Sequence, residues 1–236
     1  MRSWAEPVAL AAQPGFRALY VYGSALREGF DPHVSDVNVL LVVDELPFDR
    51  LERLAHVLGE LGTHPKNGFH LAPLLLTERQ IRASSDVFPM DFTDLLERRA
   101  LVSGEDVLAN LEVRFTHLRH QCEYELQSKL VGLRQAYVRA GAGPGAAHAL
   151  TVRAAGGSAA LFRHLLTLVQ QDHPQDPIEL SHSVARAYRV DAQALAAPFV
   201  ARREETVDEA TARSRLAAYL VALESLASSV NDLPGH

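Results

Sequence analysis

The sequence predicts an α+β protein: a small mixed sheet with its helices over residues 1–110, then an α-helical bundle over residues 111–236. Three observations predict it. Short β-rich runs alternate with helix-like pieces only as far as about residue 110. From Leu111 onward apolar residues recur every three or four positions, the spacing of one helix face. The 236 residues, 47% of them hydrophobic, suffice for one large domain or two small ones with real cores.

In the first part, residues 17–22 alternate and are rich in aromatic and β-branched side chains, so they read as a strand. Residues 37–43 form an almost continuous apolar run, the look of a strand buried on both faces. Pro47 suits the first turn of a helix, and Leu51, Leu54, Ala55 and Leu58 follow at helical spacing. Asn67-Gly68 marks a turn. A further strand covers 69–76, with Pro73 pointing to a sheet edge or a bulge. Thr77 is placed to cap a short helix through Ala83. Residues 90–96 read as a strand, with a turn near Gly104.

The second part opens with a helix of about seven turns, whose buried side is Phe115, Leu118, Cys122, Leu126, Leu130, Leu133 and Tyr137. The run Gly141-Ala142-Gly143-Pro144-Gly145 breaks it. One helix follows over 146–171. His173-Pro174 and Asp176-Pro177 mark a loop, and helices cover 178–188, 192–201 and 207–230. Joined by short loops, these pack most simply as an antiparallel bundle. Residues 231–236 are expected to fray. No repeat at solenoid period is present.

Bulk properties exclude several classes. The net charge is −6 and no Lys/Arg cluster reaches nucleic-acid density, which disfavours DNA or RNA as partner. No apolar run approaches the length that spans a bilayer. The apolar patch at 8–12 is too short and too weakly flanked for a secretory signal, which points to a cytoplasmic chain. A single cysteine, Cys122, leaves no internal disulfide framework, and its place on an apolar helix face makes it a small buried hydrophobe.

The chemistry concentrates in one stretch. A strand ends in Tyr22-Gly23-Ser24, and a second strand opens with Asp36-Val37-Asn38. Gly23 permits positive φ and close approach of a ligand to the backbone. Ser24 adds a hydroxyl, and the amides of the following turn can face an anion. Arg27, just beyond, is a candidate to neutralise phosphate. Asp36 and Asn38 project to one face because the strand period is two. Two oxygen-bearing side chains on one face can share a hard cation such as Mg²⁺. His117 and His120 share a helix face, but no third ligand at telling spacing makes a zinc site of them. Glu125 and Lys129 read as an i,i+4 pair that supports its helix.

This stretch resembles the nucleotidyltransferase superfamily of the DNA polymerase β type. The family pattern is a hydrophobic strand, Gly-Ser, a spacer of about ten residues, then Asp-x-Asp in a second strand. Gly23-Ser24 matches the first element and Asp36 the first metal-binding Asp. The helical second half looks like the bundle that follows the catalytic domain in the minimal and aminoglycoside-modifying members. The resemblance implies a nucleoside triphosphate on the Gly-Ser turn. It also implies two Mg²⁺ ions on three carboxylates, aligning a small-molecule or protein hydroxyl with the α-phosphate.

Two departures imply a degenerate metal site. Asn38 stands where the family has its second Asp, a change worth on the order of a thousandfold in rate if both cations lean on that position. The strand expected to carry the third acid offers His70 and Ala72 on the relevant face, and imidazole is a poor Mg²⁺ ligand. A replacement acid could come from Asp86, Asp91 or Asp94, or from Glu123 or Glu125 on the first bundle helix, since aminoglycoside-type members take a catalytic acid from there. Three readings therefore compete. A degenerate binder of a nucleotide or similar ligand keeps the Gly-Ser pocket without converging acids. An active Mg²⁺-dependent transferase needs a third carboxylate near Asp36. An interaction module, docking a protein partner or a second copy through the bundle, needs an exposed apolar stripe there.

Overall fold

The computed structural model describes residues 4–26, 36–63, 70–141, 143–204 and 207–234. The chain divides into two units, Met1–Val113 and Arg114–His236.

In the first unit, helix α1 (Ala5–Ala11) leads into strand β1 (Phe16–Tyr22) and a 3-10 turn (Gly23–Leu26). Strand β2 (Val37–Val43), helix α2 (Phe48–Thr63), strand β3 (Leu71–Thr77), helices α3 (Glu78–Ser84) and α4 (Pro89–Glu97), and strand β4 (Arg99–Gly104) follow. The sheet has the order β3-β2-β1-β4. It is mixed, with β1 antiparallel to both β2 and β4, and β2 parallel to β3.

Alternation assigns each strand residue to a face. Leu19, Val21, Val39, Leu41 and Val43 pack against α1 and α2 through Trp4, Val8 and Leu54. Ala18, Tyr20, Leu40 and Val42 pack on the opposite face against Ile81, Phe92, Leu95 and Leu108. Both middle strands are thus covered on both sides, which is why residues 37–43 read as one apolar run. Pro73 lies on the edge strand β3, where its missing N–H costs no ladder bond. Thr77 caps α3 in a full capping box. Its hydroxyl accepts from the Gln80 N–H at 3.1 Å, and its own N–H donates to the Gln80 side chain at 2.8 Å.

One expectation for this unit is corrected. Residues 90–96 are helical, not extended: Pro89 occupies the first turn of α4, and Phe92 and Leu95 meet the sheet at a spacing of three. A short apolar run has the same content in either conformation, so only the packing partner decides it. The strand falls instead at Arg99–Gly104. Helix α1 has no counterpart in the sequence reading, because its apolar stretch is short. The turn expected at Asn67-Gly68 and the candidate Arg27 lie outside the described residues.

The second unit is helical throughout: α5 (Phe115–Arg139), α6 (Ala146–Ala154), α7 (Ser158–Leu168), α8 (Pro177–Tyr188), α9 (Ala192–Ala201) and α10 (Glu209–Asn231). Leu118, Cys122, Leu126, Leu130 and Leu133 form the buried side of α5, as the spacing requires. The single helix expected over 146–171 is two. Gly157 takes a left-handed φ of 71° after Gly156 and starts α7 afresh. Lys129 holds the break, donating to the carbonyls of Ala154 (3.1 Å) and Gly156 (2.8 Å). Asp176, Asp191 and Asp208 cap α8, α9 and α10 by accepting first-turn N–H groups. No helix among the described residues is long and apolar enough to cross a membrane.

Buried acids of both units give a pH prediction. Burial pushes the Tyr20 and Tyr219 phenols and the Cys122 thiol each up to about 12, and moves Tyr188 upward as well. The unfolded chain ionises these groups first, so it binds fewer protons than the fold at alkaline pH. Stability is therefore full below the unfolded values, about 8.5 for Cys and 10 for Tyr. It declines as pH rises towards the folded values. Urea melts are expected to show a lower midpoint at strongly alkaline than at neutral pH; equal midpoints would contradict the assigned burial.

Candidate functional site

Strand pairing brings the sequence candidates of the first unit to one end of the sheet. Tyr22, the last residue of β1, pairs with Asn38 on one side and with Arg99 on the other. Asn38 pairs in turn with Ala72 of β3. A row therefore crosses the sheet in the order Ala72, Asn38, Tyr22, Arg99. It lies on the face that carries Tyr20, Leu40 and α4. Asp36 is exposed, immediately before β2. It is two residues before Asn38 and so on the same face by alternation. The Val37 N–H donates to the His70 carbonyl at 2.8 Å, which sets His70 beside the start of β2.

The Gly23 turn closes this end. Gly23 has φ +74°, a conformation that costs other residues about 1–2 kcal/mol. Its N–H donates to the Arg98 carbonyl at 3.1 Å, tying the turn to the entry of β4. A Cβ on Gly23 would stand 3.2 Å from the Asn38 Nδ2, so the φ favours glycine and any larger residue would also crowd the amide beside it. Ala25 and Leu26 anchor the turn against the α1/α2 side of the sheet.

Charge around the row is mostly committed. Arg99 pairs with Asp106 at 3.3 Å and donates to the Leu96 carbonyl. The Tyr20 hydroxyl donates to the same Asp106 at 2.9 Å. Burial works to raise the Asp106 carboxyl, but the hydrogen bonds from Tyr20 and Arg99 outweigh it and hold it below the usual range. The Tyr22 phenol is raised, first by burial and then by the carboxylates of Asp91 and Asp94 on α4. The sequence reading assigned Tyr22 no role. Period-two alternation from Asn38 across the pairing is the signal that finds it, and that signal needs the register.

The structure brings together Gly23, Asp36, Asn38 and His70 at one sheet end, with Ala72 where a third-strand acid would stand opposite Asn38. Glu123 and Glu125 belong to α5 of the other unit. Glu123 is paired with Arg119 at 3.3 Å, and Glu125 lies close enough to Cys122 and Lys129 to act on their charge. Asn38 is neutral, Ala72 has no donor, and no three His, Cys, Asp or Glu side chains among the described residues are placed to hold a metal ion. This donor set does not fit two Mg²⁺ ions on three carboxylates.

The architecture defines a class: the chain has the nucleotidyltransferase fold. Its four-stranded mixed sheet and following helices resemble spectinomycin adenyltransferase AAD(9) from Enterococcus faecialis, solved with ATP and spectinomycin. The TM-score is 0.57 at 12% identity, covering 97% of this chain and 96% of that one. A nucleotidyltransferase-like protein from Exiguobacterium sibiricum 255-15 aligns with a TM-score of 0.37 at 14% identity, covering 96% and 72%. No protein-family model matches the sequence, and no curated protein matches it.

Proposed function

We propose that the chain binds a nucleoside phosphate where Gly23, Asn38 and Asp36 meet, as a degenerate nucleotidyltransferase-fold protein with weak or no transfer. One observation carries the reading: the row across the sheet keeps the glycine turn beside position 38 but places Asn38 opposite Ala72. The binding elements remain while the charge for catalysis is gone. Titration calorimetry with ATP tests it. The native chain is expected to bind, and Gly23→Ala to lose most of the affinity, about tenfold or more, because strain and the Asn38 contact displace the turn. Equal ATP affinity in native and Gly23→Ala protein would remove the turn from the site.

The alternative is an active transferase that moves a nucleoside monophosphate to a small-molecule or protein hydroxyl, with Glu123 or Glu125 serving the acceptor. The fold likeness to a protein solved with ATP and spectinomycin supports it. Pyrophosphate release from ATP in Mg²⁺ buffer separates the two readings: the degenerate binder is expected to release none above background. A docking role for the bundle has its own support. Tyr124, Val131 and Val138 are exposed on α5 at intervals of seven, a helix–helix spacing that suits a second copy or a protein partner.

A further inference from the structure

The donor set disagrees with the two-cation arrangement that the fold resemblance implies, and the disagreement has a direction. Position 38 carries an amide, which offers two N–H donors and one carbonyl acceptor, whereas an ionised Asp only accepts. The nitrogen end is the one turned to the glycine turn, 3.2 Å from where a Cβ on Gly23 would stand. Asn38 is half-buried, and glycine at residue 23 puts no side chain between its amide and the turn. The N–H of Gly23 itself is engaged by the Arg98 carbonyl at 3.1 Å, so that group is not the donor that meets an anion on the turn. Asn38 is well held to supply one: its backbone is paired on both sides, with Tyr22 and Ala72 as its neighbours across the sheet.

We infer that Asn38 is a hydrogen-bond donor to a phosphate group on the Gly23–Ser24 turn, and that the site takes a nucleoside di- or triphosphate without a bridging divalent cation. The inference rests on the nucleotide reading above. A carboxylate at position 38 repels a phosphate unless a cation stands between them. An amide removes that repulsion and adds a charge-assisted hydrogen bond. Asn38 is then a residue that determines specificity by touching the ligand.

Calorimetry on the full chain with ATP, once in EDTA and once in MgCl₂, tests this on native, Asn38→Asp and Asn38→Ala protein. The native affinities are expected to agree within about threefold in the two buffers. Asn38→Asp is expected to bind about tenfold or more weakly in EDTA and to recover with Mg²⁺. Asn38→Ala is expected to lose about tenfold in both. Native binding that requires Mg²⁺ overturns the inference and turns attention to Asp91 and Asp94, while leaving the nucleotide reading standing. Asn38→Asp that matches native protein in EDTA overturns it too. No ATP binding in either buffer overturns the nucleotide reading itself. The native comparison needs no variant, so a folding defect in either substitution does not shield the inference.

Discussion

Gly104→Ala is expected to destabilise the first unit by about 3 kcal/mol or more, with the Trp4 fluorescence transition moving to markedly lower urea. Gly104 ends β4 at φ +89° and pairs with Ala18. A Cβ there would stand 2.1 Å from the Arg17 carbonyl oxygen and 2.8 Å from the Ala18 Cα. Those are backbone atoms of a middle strand and cannot swing aside as a side chain can. The left-handed φ adds about 1–2 kcal/mol of its own for any residue with a Cβ. Pairing between β1 and β4 also slips between Leu19 and Tyr20, the local signature of a bulge, so the ladder here has little regular structure to fall back on. The consequence reaches the proposed site, because β1 runs from Arg17 directly into Tyr22 and the Gly23 turn. On the nucleotide reading proposed above, ATP affinity is expected to fall with stability. Trp4, the sole tryptophan, is buried against the sheet and reports this unit. An unchanged Trp4 midpoint would mean that the end of β4 relaxes freely.

Phe162→Ala is expected to cost the helical unit about 3–5 kcal/mol. Phe162 is fully buried on α7. Its ring meets Phe199 of α9 edge-on, with centroids 6.3 Å apart and planes at 71°. The aromatic contact contributes about 0.5–1.5 kcal/mol of the loss, and the cavity left by the ring accounts for most of the rest. Phe162→Leu keeps most of the volume and is expected to cost less than half as much. Helical circular dichroism during urea unfolding measures both. Equal losses for the two variants would show that ring geometry, not filled volume, holds α7 against α9. A loss under about 1 kcal/mol for alanine would show that the site collapses around the gap.

Much of the fold is legible in local pattern because the pattern and the packing coincide. The run at 37–43 becomes β2 without change of bounds, since a strand buried on both faces needs apolar residues at every position. Thr77 caps α3 because its side chain and Gln80 satisfy each other's backbone across a single turn. The face of α5 follows from period alone. Where local content is compatible with two structures, the reading fails. Residues 90–96 suit a strand as well as a helix, and only their fit against Tyr20 and Leu40 selects the helix. The stretch 146–171 is apolar enough for one helix, and the pair Gly156-Gly157 divides it once Lys129 takes up the freed carbonyls.

The candidate site separates in the same way. The Gly-Ser turn, Asp36 and the amide at position 38 can be read from the chain, because each is a residue type at a spacing. That Asn38 faces Ala72 and not an acid, that Tyr22 stands beside it, and that its nitrogen abuts Gly23 cannot. Those facts depend on which strand pairs with which, and in what register, and a slip of one residue would turn every one of these side chains to the opposite face. Sequence by itself thus determined the kinds of groups this protein can present and roughly where its strands and helices run. Tertiary structure alone decided which groups share a face, because cross-strand neighbours are fixed by long-range hydrogen bonding and by burial of both sides of the sheet.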